Sequence, residues 1–136
     1  MHFARIAAIA LIASSFTTTA AFAEGDAEAG AKVFNKCKAC HKLDGGKGPG
    51  PTLQGMFGRK AGTVEGFKYS ADMIAAGEAG LVWNEENFLE FVENPRDYIG
   101  KLLGKGKSST RMIVKINKDS ERADLLAYLL ANGAKQ

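Results

Sequence analysis

Histidine and cysteine are scarce in this chain, with two of each: His2 and His41, Cys37 and Cys40. A zinc site needs four nitrogen or sulfur ligands, usually drawn from two clusters, so zinc runs out of ligands here. A thioredoxin-like dithiol needs a strand–helix–strand setting, and the glycine- and lysine-rich sequence around Cys37 and Cys40 shows no such alternation. A structural disulfide between them would close a very small loop and leave His41 without a purpose. Charge of one sign is also in short supply. The formal net charge is only +3, too weak a bias to suggest a nucleic-acid partner. Nor is there a long hydrophobic run: Ile6 to Phe16 is apolar but too short to span a bilayer.

What is present begins with that same apolar stretch. Arg5 precedes it, and Ala21-Phe22-Ala23 puts small residues where a signal peptidase reads them. Residues 1–23 are therefore expected to be a cleaved secretory leader, with an uncleaved anchor as the alternative that the short apolar run disfavours. Residues 24–136 are one domain's worth of chain, small enough for a buried cofactor to supply much of the core. Export places the protein in an oxidising compartment, the bacterial periplasm, where free thiols would otherwise be oxidised.

The organising stretch is Cys37-Lys38-Ala39-Cys40-His41. Two cysteines two residues apart, followed at once by histidine, are the pattern for covalent attachment of a c-type haem: both thiols add to the haem vinyl groups and the imidazole reaches the iron. With the leader removed, His41 is the sole histidine, so a bis-histidine haem is excluded by count. The sixth iron position is left to methionine, lysine, water or nothing. Met56 is too near His41 in sequence to have rounded the ring, and Met73 lies where a core role is the default. Met112 lies far enough along the chain to reach the iron from the other side, in an irregular segment before the last helix.

The remaining pattern is helical. Ala29, Val33, Phe34 and Cys37 recur at helical spacing behind Asp26 and Glu28, predicting a helix over 25–37. Gly30 within it costs about 1 kcal/mol relative to alanine; it either admits a neighbouring helix or is a tolerated cost. Residues 43–62, rich in glycine and proline, form an ordered loop. Pro51 within it is either turn punctuation or the carbonyl acceptor for the second ring nitrogen of His41. Ser70 caps a short helix over 71–76 that Gly77 ends. Asn84 caps a helix that stops before Pro95. Residues 100–109 form a flexible basic connection and 110–116 a compact apolar segment. Ser120 caps a final helix with Leu125, Leu126, Tyr128, Leu129 and Leu130 on its apolar face and Gly133 at its end.

These motifs together resemble a class I cytochrome c of the bacterial cytochrome c2 and mitochondrial cytochrome c group. The matching stretches are Gly30 to Phe34, Cys37 to His41, Gly50 to Gly55, Phe57 to Lys60, Gly66 to Ser70, Trp83, Glu93 to Pro95 with Tyr98 and Ile99, Thr110 to Met112, and Asp124 to Leu129. The resemblance implies an all-α fold around one haem c attached through Cys37 and Cys40, with the first and last helices crossing at Gly30 and Phe34 against Tyr128. It implies His41 and Met112 as iron ligands and the Pro51 carbonyl as acceptor for His41. It implies Tyr69 and Trp83 as hydrogen-bond partners of a buried propionate, with Arg59 nearby to offset its charge. Two features depart from the family. Phe91 stands where a tyrosine usually neighbours the methionine sulfur, so that hydrogen bond is expected to be absent. The segment 100–107 is longer than in the mitochondrial form and lacks its proline, which predicts a mobile ligand-bearing loop.

The function implied is one-electron shuttling between membrane redox complexes, such as a bc1-type donor and an oxidase or photosynthetic reaction centre, by a monomer that does not insert in the membrane. Lys36, Lys38, Lys42 and Lys47 around the haem motif, with Lys101, Lys105, Lys107 and Arg111, would steer acidic partner surfaces toward the haem edge. The rival is an enzyme or gas-binding haem protein with an open distal position. The absence of a distal histidine for acid–base work argues against it.

Overall fold

The structure, a computed structural model, describes residues 24–136; the expected leader, 1–23, lies outside the described residues. Five helices follow in order: α1 (Ala27–Phe34), α2 (Ala71–Glu78), α3 (Glu85–Glu93), α4 (Pro95–Leu102) and α5 (Asp119–Ala131). Among the described residues there is no β-strand, and only two isolated bridges join loop segments, Phe57 with Lys135 and Lys60 with Val82. Among them, too, no helix is long and apolar enough to cross a membrane. The all-α expectation holds.

The frame is the crossing of α1 and α5. Asp26 caps α1, accepting from the Glu28 amide at 2.8 Å and the Ala29 amide at 3.2 Å. These bonds satisfy donors that the first turn leaves free. The Asp26 amide itself donates to the Asp124 carboxylate at 2.8 Å, joining the start of α1 to α5. A Cβ on Gly30 would lie 1.9 Å from the Asp124 carbonyl oxygen and 2.7 Å from the Tyr128 Cβ. Gly30 is therefore there for close approach, which decides between its two sequence readings. Phe34 completes the crossing, its ring centroid 5.2 Å from that of Tyr128.

The first helix is shorter than the expected 25–37, running from Ala27 to Phe34 and continuing as turns. Three other helix boundaries differ from expectation, each for a tertiary reason. The helix capped by Ser70 continues through Gly77 to Glu78, because Gly77 packs on the Ala61 carbonyl and is not a terminator. Pro95 does close off α3, but it also starts α4 at the first helical position, where its missing N–H costs nothing. The stretch expected to begin a connection at Gly100 is thus still helical through Leu102. Finally, Ser120 does not cap α5; the helix begins at Asp119, with Lys118 at the cap position and no side-chain cap. The buried Arg122 guanidinium organises that entry, donating to the Ile116 and Asn117 carbonyls at 2.7 and 3.0 Å and to the Asp119 carboxylate. The Asn84 cap is as expected, a reciprocal box with Asn87.

Ile99 on α4, Ile116 before α5, and Leu125 and Leu129 on α5 are fully buried in one apolar core. Leu125 and Leu129 also border a cleft, together with Phe88, Phe91, Val92 and Trp83, which do not close over it.

Candidate functional site

The cleft has a volume of about 260 Å3. All eight residues singled out from the sequence border it: Cys37, Cys40, His41, Pro51, Arg59, Tyr69, Trp83 and Met112.

The Cys37–His41 stretch hangs directly from the end of α1. The Cys37 amide donates to the Phe34 carbonyl at 2.8 Å, and the Cys40 and His41 amides both donate to the Cys37 carbonyl, at 3.0 and 2.9 Å. The helical turn thus continues past α1 and brings Cys37, Cys40 and His41 to the cleft. Cys37 and Cys40 are not joined to each other in a disulfide. Burial pushes the Cys37 thiol up, with Lys36 acting against this and Cys40 adding to it.

His41 has one defined tautomer. Its Nδ1 lies 2.8 Å from the Pro51 carbonyl oxygen. A carbonyl can only accept, so Nδ1 carries the hydrogen and Nε2 keeps its lone pair. Burial pushes the imidazole pKa down, outweighing the Pro51 bond, which acts the other way. The ring is thus neutral near pH 7, as a metal ligand must be. It lies close against Gly50, where a Cβ would stand 2.7 to 3.0 Å from three ring atoms. A cleft lined largely by apolar side chains, two thiols on one turn and a neutral imidazole with a fixed tautomer together fit a covalently attached haem.

Met112 borders the same cleft from the segment between α4 and α5, which has no regular secondary structure. Met56 and Met73 are buried and also line it, so Met73 has the core position expected of it. Phe91 packs against Trp83 with centroids 4.8 Å apart and against Tyr98 at 6.0 Å. Arg59 donates to the Thr52 and Gln54 carbonyls at 2.7 and 3.0 Å, and burial lowers its pKa while Tyr69 acts the other way. It therefore braces the loop after Pro51 and also faces the cleft. The Tyr69 hydroxyl accepts from the Val64 amide at 3.2 Å and so retains its own hydrogen to donate; burial raises its pKa.

Sequence reasoning missed Asp72 and Ser108, both buried around the Met112 segment, as is Thr110. An acid in a first helical turn reads as a complement to the helix dipole, and nothing local marks it as buried. Among the described residues no cluster of three or more histidine, cysteine or acidic side chains could hold a separate metal ion.

A helical shell around one cleft, with two thiols and an imidazole on the turn that ends the first helix, defines a small c-type haem protein. The family model described as "Cytochrome c" matches residues 27–132. Cytochrome c-551 of Roseobacter denitrificans is 43% identical over 127 residues, covering 88% of this chain and 89% of that protein. Cytochrome c2 of Cereibacter sphaeroides is 37% identical over 135 residues, covering 92% and 93%. The solved structure of cytochrome c2 from Rhodospirillum centenum superposes with a TM-score of 0.74 at 41% identity, covering 80% of this chain and 99% of that one. The chain belongs to the cytochrome c family, as a class I member close to the bacterial cytochromes c2. It is an electron carrier, not an enzyme, and its cofactor is one covalently attached haem c.

Proposed function

We propose that residues 24–136 form a periplasmic one-electron shuttle between membrane redox complexes, such as a bc1-type donor and an oxidase or photosynthetic reaction centre, released by cleavage of the leader 1–23. In this reading Cys37 and Cys40 hold the haem by thioether bonds, and His41 and Met112 are its two axial ligands. When bound, the haem supplies an iron that alternates between ferric and ferrous states.

The observation that carries the reading is the His41–Pro51 bond of 2.8 Å, which leaves Nε2 as a neutral donor on a cleft that Met112 also borders. A nitrogen and a thioether sulfur suit both iron oxidation states, so electron transfer needs little rearrangement of the chain. Tyr69, with a hydrogen left to donate, and Trp83, an indole donor, suit a propionate in the cleft, and Arg59 offsets its charge. Lys36, Lys38, Lys42, Lys47, Lys101, Lys105, Lys107 and Arg111 are all exposed. Lys36 pairs with Glu121 and Lys105 with Asp72, which leaves the others to steer an acidic partner. Encounters guided this way are fast, salt-sensitive and short-lived, and the carrier acts as a monomer.

The test is an optical spectrum of the purified holoprotein, oxidised and reduced, followed by addition of carbon monoxide. The expected result is a weak sulfur-to-ferric-iron band in the far red that disappears in Met112→Ala, with no response to carbon monoxide in the wild type. A high-spin spectrum, or ready carbon monoxide binding, would overturn the closed His41/Met112 site.

A further inference from the structure

Packing alone does not fix Met112. It borders the 260 Å3 cleft and also a second cavity of about 150 Å3 that lies between the start of α4 and the chain around Lys107 and Ile113. The second cavity leaves space on the side away from the cleft, and a side chain beside such a space can shift unless its backbone is held. The backbone between Leu103 and Asn117 is not helical, and Ile113 is 68% exposed.

Polar contacts do the holding. The Ser108 amide donates to the Arg96 carbonyl at 3.2 Å, and Arg96 Nε donates to the Thr110 carbonyl at 3.0 Å. These bonds tie the segment to α4, its own neighbour in sequence. The link to α2 runs chiefly through Asp72. One of its carboxylate oxygens accepts from Lys105 Nζ at 2.6 Å and the other from the Ser109 amide at 2.5 Å. Asp72 is only 8% exposed. Both its oxygens are thus occupied at a site where an unmatched carboxylate would be costly. Lys105 first, and then Ser109, hold its carboxyl down to about 2. The group is therefore charged throughout the physiological range. The next residue, Met73, is part of the cleft wall, so the contact joins the Met112 segment to that wall.

We propose that Asp72 is a positioning residue for the iron site: its carboxylate clasps residues 105–109 to α2 and thereby sets how often Met112 leaves the metal. The inference rests on the reading of Met112 as the distal ligand. The two halves of the clasp are unequal. The Lys105 side chain is 48% exposed. Water therefore screens the ion pair, whereas the Ser109 amide has no comparable substitute once the carboxylate is gone. Asp72→Asn keeps an oxygen for Ser109 and loses the charge; Asp72→Ala loses both.

The experiment uses ferric holoprotein and reads two rates well below the melting temperature: cyanide association, and trypsin cleavage after Lys105, Lys107 and Arg111. Both report the open population of the segment. Asp72→Ala is expected to raise both about tenfold, Asp72→Asn to raise them less, and Lys105→Gln to raise cyanide association least. Leu126→Ala, a core change on α5 outside the cleft lining, should lower the melting temperature and leave both rates near wild type. Unchanged rates in Asp72→Ala would overturn the proposal, and so would an equal rise in Leu126→Ala. If Asp72→Ala does not fold, Asp72→Asn against Leu126→Ala decides. A wild-type holoprotein without the far-red band would instead refute Met112 as ligand, and trypsin cleavage would still show whether Asp72 clasps the segment.

Discussion

The chain around His41 and the chain around Met112 border one cleft, yet they are held by different kinds of contact. Around His41 nearly every bond is short in sequence. Cys37 bonds to Phe34, His41 to Cys37, Gly50 to Cys40, Leu53 to Lys42, and the His41 ring to Pro51. The whole unit continues α1, which α5 fixes. Around Met112 the contacts reach across the fold: Asp72 to Lys105 and Ser109, Arg111 to the Lys68 carbonyl at 3.3 Å, and the Ile116 amide to the Val92 carbonyl at 2.8 Å. Local bonds are restored as soon as the local chain is ordered. Long-range clasps fail one at a time, which makes the Met112 side the low-stability end of the molecule.

The largest effect that bears on this comparison should come from the helix crossing. Gly30→Ala places a methyl carbon 1.9 Å from the Asp124 carbonyl oxygen, a backbone atom that cannot swing aside. The expected loss of stability is about 2–3 kcal/mol, read by denaturant or thermal unfolding, with both sides of the cleft loosened together. A loss confined to the Met112 side would break the comparison.

A smaller, one-sided effect is expected from Gly50→Ala. The new methyl would meet the His41 ring at 2.7 to 3.0 Å, so the ring or the segment before Pro51 must shift. We expect a loss of about 1–2 kcal/mol in thermal unfolding, with a shifted reduction potential and unchanged trypsin cleavage at 105–111. Faster cleavage would mean that the two sides are coupled through the cleft.

The smallest effect is one of pH. The Asp72 carboxyl is depressed from an ordinary 3.8 to about 2, so its ionised form is the one the folded state favours. Its contribution is complete above about pH 3.8 and is lost as the pH falls through about 2. Glu121, lowered first by Lys36 and next by Lys118, contributes in the same direction at the α5 entry. Acid titration of the far-red band should therefore be less steep in this window for Asp72→Asn, which lacks the clasp's charge already at pH 7. Identical titrations would remove the carboxylate from the account.

The sequence by itself determined what depends on neighbours in the chain. The Cys37–His41 unit, the Ser70 and Asn84 caps, the apolar face of α5 and the glycine- and proline-rich loop after His41 were legible because helical periodicity, capping and the attachment motif are local patterns. The family resemblance added the Pro51 bond and the convergence of Met112, Arg59, Tyr69 and Trp83 on one cleft. Tertiary structure alone decided the rest. Gly30 became a contact point because the Asp124 carbonyl comes to it from the far end of the chain, and Gly77 stayed helical because the Ala61 carbonyl packs on it. Ser120 does not cap α5; the entry is held instead by Arg122, whose burial makes its hydrogen bonds to the Ile116 and Asn117 carbonyls obligatory. The long loop before Met112 makes hydrogen bonds to Asp72, an acid that local sequence marks only as a helix-dipole complement. A carboxylate's role depends on which donors the folded chain brings to it, and here Lys105 and Ser109 arrive from another part of the sequence.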